Sequence, residues 1–147
     1  MSTNEKWFSK SPEKKNIVLE KQFFLECDLK TSGSYEVVKQ FLEKNKDNLP
    51  SALIFISDKT AIGGYNAINE FGMSVPDDFS IIGNDDIAES KYLTPPLTTV
   101  SPPKNDLGTS GINLLLEEIQ NTGAAKSYKQ VRLLPQLIIR NSTRKIS

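Results

Sequence analysis

Short unbroken apolar runs alternate along this chain with stretches in which apolar residues recur every three or four positions. Ala52 to Ile56 is such a run, of the kind a parallel strand covered on both faces shows, and Ser57-Asp58 follow at once. Ala61, Ile62, Tyr65 and Ile68 then repeat at helical spacing, with Gly72 where a left-handed C-cap belongs and Val75-Pro76 redirecting the chain. Phe79 to Gly83 makes a second strand ending in Asn84-Asp85-Asp86. Upstream, Phe23-Phe24-Leu25 is the better of two candidates for a first strand, the other being Ile17-Val18-Leu19. Thr31-Ser32-Gly33-Ser34 supplies capping residues for a helix whose apolar face is Val37, Val38, Phe41 and Leu42 and which lasts to about Lys46.

Downstream, Ile87 to Tyr92 reads as a short helix or turn stopped by Thr94-Pro95-Pro96, and Leu97 to Val100 as a further strand. The long amphipathic helix runs from Asp106 through Leu107, Ile112, Leu115, Leu116 and Ile119 to about Asn121-Thr122-Gly123. Val131 to Leu134 and Leu137 to Arg140 are two short strand pieces parted by Pro135. The predicted class is α/β, a parallel sheet flanked by helices with short C-terminal strands. Residues 1–16 form a polar lead-in, 17–143 the folded unit with its long helix at 106–121, and 144–147 a tail.

Two parallel strands joined by a helix bring their C-terminal ends side by side, so Ser57, Asp58 and Asp85 are expected on one sheet edge. Ligands of open α/β sheets bind at that edge. Acceptor-rich side chains there repel phosphate and suit hydroxyls, and no glycine-rich phosphate loop is present at this edge.

Composition narrows the function. Lys+Arg 18 against Asp+Glu 18 gives a net charge of +0, which argues against a free-standing nucleic-acid binder. His 0 removes Ser-His-Asp and Cys-His mechanisms and histidine metal sites. Cys27 is the single cysteine, so no intrachain disulfide forms. Without a long apolar span or secretory leader, a soluble cytoplasmic protein that does not engage a membrane is expected.

The segment PSALIFISDKTAIGGYNAINEFGMSVPDDFSIIGNDD, then TPPLTTV at Thr94 to Val100, Leu107-Gly108, Leu134-Pro135 and Arg140-Asn141-Ser142-Thr143, resembles the lactose-repressor/galactose-repressor (LacI/GalR) family of transcription regulators. The resemblance runs in order from about Asp28 to Thr143 and covers the C-terminal half of such a repressor. It implies the C-terminal subdomain of a periplasmic-binding-protein-like fold, with the long helix packing on the other subdomain. It also implies a carbohydrate effector in a cleft between subdomains, a homodimer, no cofactor, no catalytic or metal residues, and no DNA contact by this chain itself.

On that resemblance Asp85 accepts hydrogen bonds from sugar hydroxyls, with Ser57 and Asp58 beside it, where Asp58 orders the turn; the bland alternative is that these residues cap helices. Asp86 reads as structural. Leu29 and Lys104 stand where the family often has aromatic rings, which points to an acidic or phosphorylated effector reached by Lys104, or to surface positions without a ligand role. Ile62, Tyr65 and Leu93 correspond to subunit-pairing surfaces, with burial in the chain's own core as the competing reading for Ile62 and Tyr65. Two other functions fit the pattern less well: a sugar-binding transport protein of the same fold, and a small enzyme using Asp58, Asp85 and Asp86 around magnesium.

Overall fold

The computed structural model describes residues 21–46, 48–120 and 128–145. A 3-10 turn at Lys21–Phe23 leads to α1 (Thr31–Lys44), followed by β1 (Ala52–Ile54), α2 (Asp58–Glu70) and β2 (Ser80–Asn84). A 3-10 turn at Ala88–Lys91 precedes β3 (Thr98–Ser101), α3 (Lys104–Gln120) and β4 (Gln136–Ile138). The strands form one sheet in the order β1-β2-β3-β4, the first three parallel and β4 antiparallel to β3. The α/β class and the strand-end edge therefore stand as the apolar pattern predicts. None of the described helices is long and apolar enough to cross a membrane.

Register aligns Leu53 with Ile81 and Gly83 with Thr99, so alternate side chains of the sheet face α1 and α2. Val38, Phe41 and Leu42 of α1 and Ala61, Tyr65 and Ile68 of α2 close over Phe79, Ile81 and Leu97 as one core. Each large side chain so buried contributes about 1.5–3 kcal/mol. The two helices are also joined by hydrogen bonds, Ser34 Oγ donating to Thr60 O at 2.8 Å and Thr31 Oγ1 to Lys59 O at 3.1 Å. The predicted capping quartet thus has another job: Lys30 holds the N-cap position without a side-chain bond, and the hydroxyls of the first turn reach across to α2.

Phe23-Phe24-Leu25 is not a strand. Lys21–Phe23 is wound into the 3-10 turn, Phe24 N donates back to Lys21 O at 3.1 Å, and Phe23 and Leu25 pack on the core as side chains. Val131 to Leu134 is not a strand either; β4 forms only beyond Pro135, where Gln136–Ile138 finds a free edge of β3. Gly72 takes φ +71° as its C-cap position requires. The lead-in, the Ile17-Val18-Leu19 run, the helix end at Asn121-Thr122-Gly123 and the last two residues of the tail lie outside the described residues.

Helix α3 begins two residues before Asp106, at Lys104, and buries none of its residues among those described. Leu107, Ile112, Leu115, Leu116 and Ile119 are all exposed. The opposite sheet face is also open, so the Ala52 to Ile56 run is not covered on both faces as its unbroken apolarity predicts: Ile54 is 63% exposed, and Ile139 past β4 is 74% exposed.

Candidate functional site

The parallel strands deliver three polar turns to one edge. At the end of β1, Ser57 is the N-cap of α2: its Oγ accepts from Thr60 N at 3.3 Å, and Thr60 Oγ1 accepts from Ser57 N at 3.3 Å. Threonine takes the reciprocal place that glutamate usually fills in this box. The hydroxyl of Ser57 is thereby committed to the helix start.

Asp58 is 0% exposed. Its Oδ1 accepts from Thr99 Oγ1 at 2.6 Å, and its Oδ2 accepts from Ser90 Oγ at 2.5 Å and Ile87 N at 3.0 Å. One carboxylate so ties the start of α2 to β3 and to the turn after β2. Gly83 makes room for it, because a Cβ there would lie 2.1 Å from Asp58 Oδ1. The structure therefore puts Asp58 inside the protein, beneath the edge rather than on it.

Asp85 sits on the edge itself. It follows β2 with φ 108°, its N–H donates to Val100 O at 2.9 Å, and Asn84 Nδ2 donates to its Oδ1 at 3.1 Å. Among the described residues no donor reaches Oδ2. The side chain is half-buried, and its carboxyl is pushed above the ordinary aspartate value by that burial and by the charge of Asp58, with Lys104 pulling the other way. A half-desolvated carboxylate with an open oxygen is an acceptor for a ligand's O–H or N–H groups.

Asp86, φ 48°, turns away into protein. Arg140 Nη2 donates to its Oδ1 at 2.6 Å and Ser101 Oγ to its Oδ2 at 3.2 Å, and the Arg140 hydrogen bond holds its carboxyl below the usual range. Lys104 Nζ, exposed at the start of α3, donates to Asp86 O at 3.0 Å. Leu29 is 66% exposed just before α1. Among the described residues no three carboxylates or thiols converge as a metal-binding group.

The residues assigned to subunit pairing fall in different places. Tyr65 is 2% exposed, its OH donates to Pro95 O at 3.1 Å, and burial pushes the phenol up to about 12, so it belongs to the core. Ile62 and Leu93 are half-buried, with Leu93 packed against that core. Sequence reasoning missed Ser90, Thr99 and Arg140 as builders of the edge. The signal for Arg140 was the Arg-Asn-Ser-Thr motif; isolated serines and threonines carry no such signal.

This arrangement, a mostly parallel sheet whose strand ends present a buried aspartate below and an open one above, is that of an α/β domain that binds ligands at its strand-end edge. The chain belongs to the periplasmic binding protein-like domain family, whose model matches residues 5–143. It is 37% identical over 145 residues to the HTH-type transcriptional repressor PurR of Haemophilus influenzae, covering 98% of this chain and 43% of that repressor. The chain thus spans less than half the length of the curated relatives it matches. A LacI family regulator from Enterococcus faecium, solved with bound ribose, superposes with a TM-score of 0.70 at 33% identity, over 81% of this chain and 42% of that one. One from Enterococcus faecalis V583, also with bound ribose, gives 0.71 at 36% identity, over 80% and 42%.

Proposed function

We propose that this chain is the effector-binding part of a LacI-type transcription regulator, with Asp85 as the acceptor for hydroxyl groups of a sugar or sugar derivative. The observation that carries the reading is the half-buried Asp85 carboxylate, whose Oδ2 receives no donor from the described residues. Two ribose-bound relatives of the same fold support the ligand class. The role is binding, not catalysis: Asp58 and Asp86 are both occupied by protein donors. In this reading Ser57 and Asp58 act from below, fixing the α2 turn beside the ligand. The Asp85 carboxylate favours a neutral hydroxylated effector over an anionic one, with the Lys104 ammonium, bonded to Asp86 O, pulling the other way.

Ligand would then close this half against a second subdomain and shift the balance between regulator conformations in a cytoplasmic homodimer, whose contacts include Ile62 and Leu93. DNA contact would belong to another part of the regulator, in keeping with a net charge of +0 here. Calorimetric titration with ribose, lactose, ribose 5-phosphate and nucleobases, using epimers as controls, tests the reading. Selective binding of a neutral sugar is expected, weakened about tenfold to a hundredfold by Asp85→Ala, since a hydrogen bond to a charged acceptor contributes about 1.5–3 kcal/mol. Binding that ignores Asp85→Ala, or no selective binding at all, would overturn it.

A further inference from the structure

We infer that Arg140 and Asp86 form a clamp that positions Asp85 for ligand, an inference that rests on the reading of Asp85 just given. Asp85 and Asp86 are consecutive non-glycine residues with positive φ, 108° and 48°, a backbone state uncommon for L-residues and, at 108°, one that a non-glycine residue holds at a cost its surroundings must cover. Little at Asp85 imposes it. Its own bonds are the backbone link to Val100 O and a local contact from Asn84.

The imposing contacts converge on the next residue. Arg140 uses its two-pronged guanidinium to bridge Asp86 Oδ1, at 2.6 Å from Nη2, and Leu97 O, at 2.7 Å from Nη1. The ion pair is mostly withdrawn from water, with side chains 13% and 21% exposed. The other Asp86 oxygen takes Ser101 Oγ, its carbonyl takes Lys104 Nζ, and its N–H reaches Thr99 Oγ1 at 3.4 Å. Every hydrogen-bonding group of Asp86 is thus held by β3, the start of α3 or Arg140, two residues past β4. Arg140 is itself registered by its N–H on Thr98 Oγ1 at 3.0 Å. With Asp86 fixed on one side and β2 on the other, the carboxylate of Asp85 has one place to stand.

The clamp spans elements far apart in sequence, which gives it a second consequence. Asp86 follows β2, Ser101 ends β3 and Arg140 follows β4, so a shift of β4 against β3 is transmitted to the ligand-facing residue through one guanidinium. A lysine in place of Arg140 keeps the charge and loses the fork, because one ammonium on a flexible stem does not reproduce the planar pair of bonds.

The test uses the whole chain, with Arg140→Met, Arg140→Lys and Asp86→Asn compared with wild type. On free protein, amide exchange at Asp85 is expected to speed up about tenfold or more in Arg140→Met, the loss of one charge-assisted bond, while Ile81 in the core keeps its protection. The titration of the Asp85 carboxyl, followed by carbon NMR, should shift from that of wild type. Arg140→Lys should restore neither. Unchanged exchange and titration at Asp85, or full rescue by lysine, overturns the inference without any ligand being bound. Where ribose binds wild type and Asp85→Ala abolishes it, an unchanged Kd in Arg140→Met overturns the clamp and leaves the sugar reading standing. Absence of any binding to wild type removes the sugar reading, and with it the ligand role of the clamp, whatever the exchange data show.

Discussion

The turns that follow β1 and β2 carry the same chemistry and end in opposite states. Each presents aspartate at a strand end on the same edge, yet Asp58 is sealed under three donors while Asp85 keeps an oxygen free. The difference lies in what surrounds each carboxylate rather than in the residue. Asp58 falls in the first turn of a long helix, where the N-terminal dipole and the gap left by Gly83 draw it inward. Asp85 precedes a 3-10 turn of four residues, and the inward role there passes to Asp86 and its arginine. A strand-end acid thus becomes structural when donors from neighbouring strands converge on it, and available when its neighbour absorbs them.

The largest effect should come from removing the buried member. Asp58→Ala strands the hydroxyls of the fully buried Ser90 and Thr99 and the N–H of the half-buried Ile87, and should cost about 3–5 kcal/mol in urea unfolding. A loss below about 1 kcal/mol would mean that the Asp58 knot is ornamental. Next, Gly83→Ala drives a methyl to 2.1 Å from Oδ1 of a carboxylate that three hydrogen bonds prevent from yielding, for an expected loss of about 1–3 kcal/mol. Tolerance of that methyl would show the Asp58 carboxylate to be free to move.

A smaller effect, with a definite sign, belongs to Asp85. Its folded carboxyl titrates above the ordinary value, so between the two values the native state holds more proton than the unfolded chain, and stability falls as pH rises through that window. Asp86 runs the other way: its depressed carboxyl contributes stability that is present above the ordinary value and lost as pH falls through the lowered one. Asp85→Asn should therefore leave stability at about pH 7 unchanged or raised and flatten its dependence down to about pH 4, read from urea midpoints. A marked loss at neutral pH would place Asp85 with Asp58 instead.

The smallest effect on stability is expected far from both turns. Ile112→Lys with Leu116→Lys alters an exposed stripe and should change unfolding by about 0.5 kcal/mol or less, while reducing concentration-dependent self-association seen by light scattering. A wild-type chain that stays monomeric at high concentration would contradict the second half of that expectation.

The sequence made the edge legible and the division of labour along it only in part. Unbroken runs at Ala52 to Ile56 and Leu97 to Val100, the helical spacing of Ala61, Tyr65 and Ile68, and Gly72 all report local physics, and the structure agrees with them to within a residue or two. Phe23-Phe24-Leu25 failed as a strand because apolarity signals packing, and Phe23 and Leu25 pack half-buried against the core without ladder bonds. The resemblance to the repressor family pointed to Asp85 but left Ser57 and Asp58 between capping and contact. Partners such as Thr99, Ser90 and Ile87 meet Asp58 only through tertiary structure, between 29 and 41 positions away, so no local pattern records them. The apolar stripe of α3 shows the same limit, since periodicity demands burial without naming what provides it.

The most direct test of the two-turn account is a paired comparison of Asp58→Asn and Asp85→Asn, measuring urea stability and ribose titration on the same preparations. Asp58→Asn is expected to lose stability, and Asp85→Asn to keep its stability and lose selective binding. Equal destabilisation by the two substitutions, or binding retained by Asp85→Asn, would contradict the account.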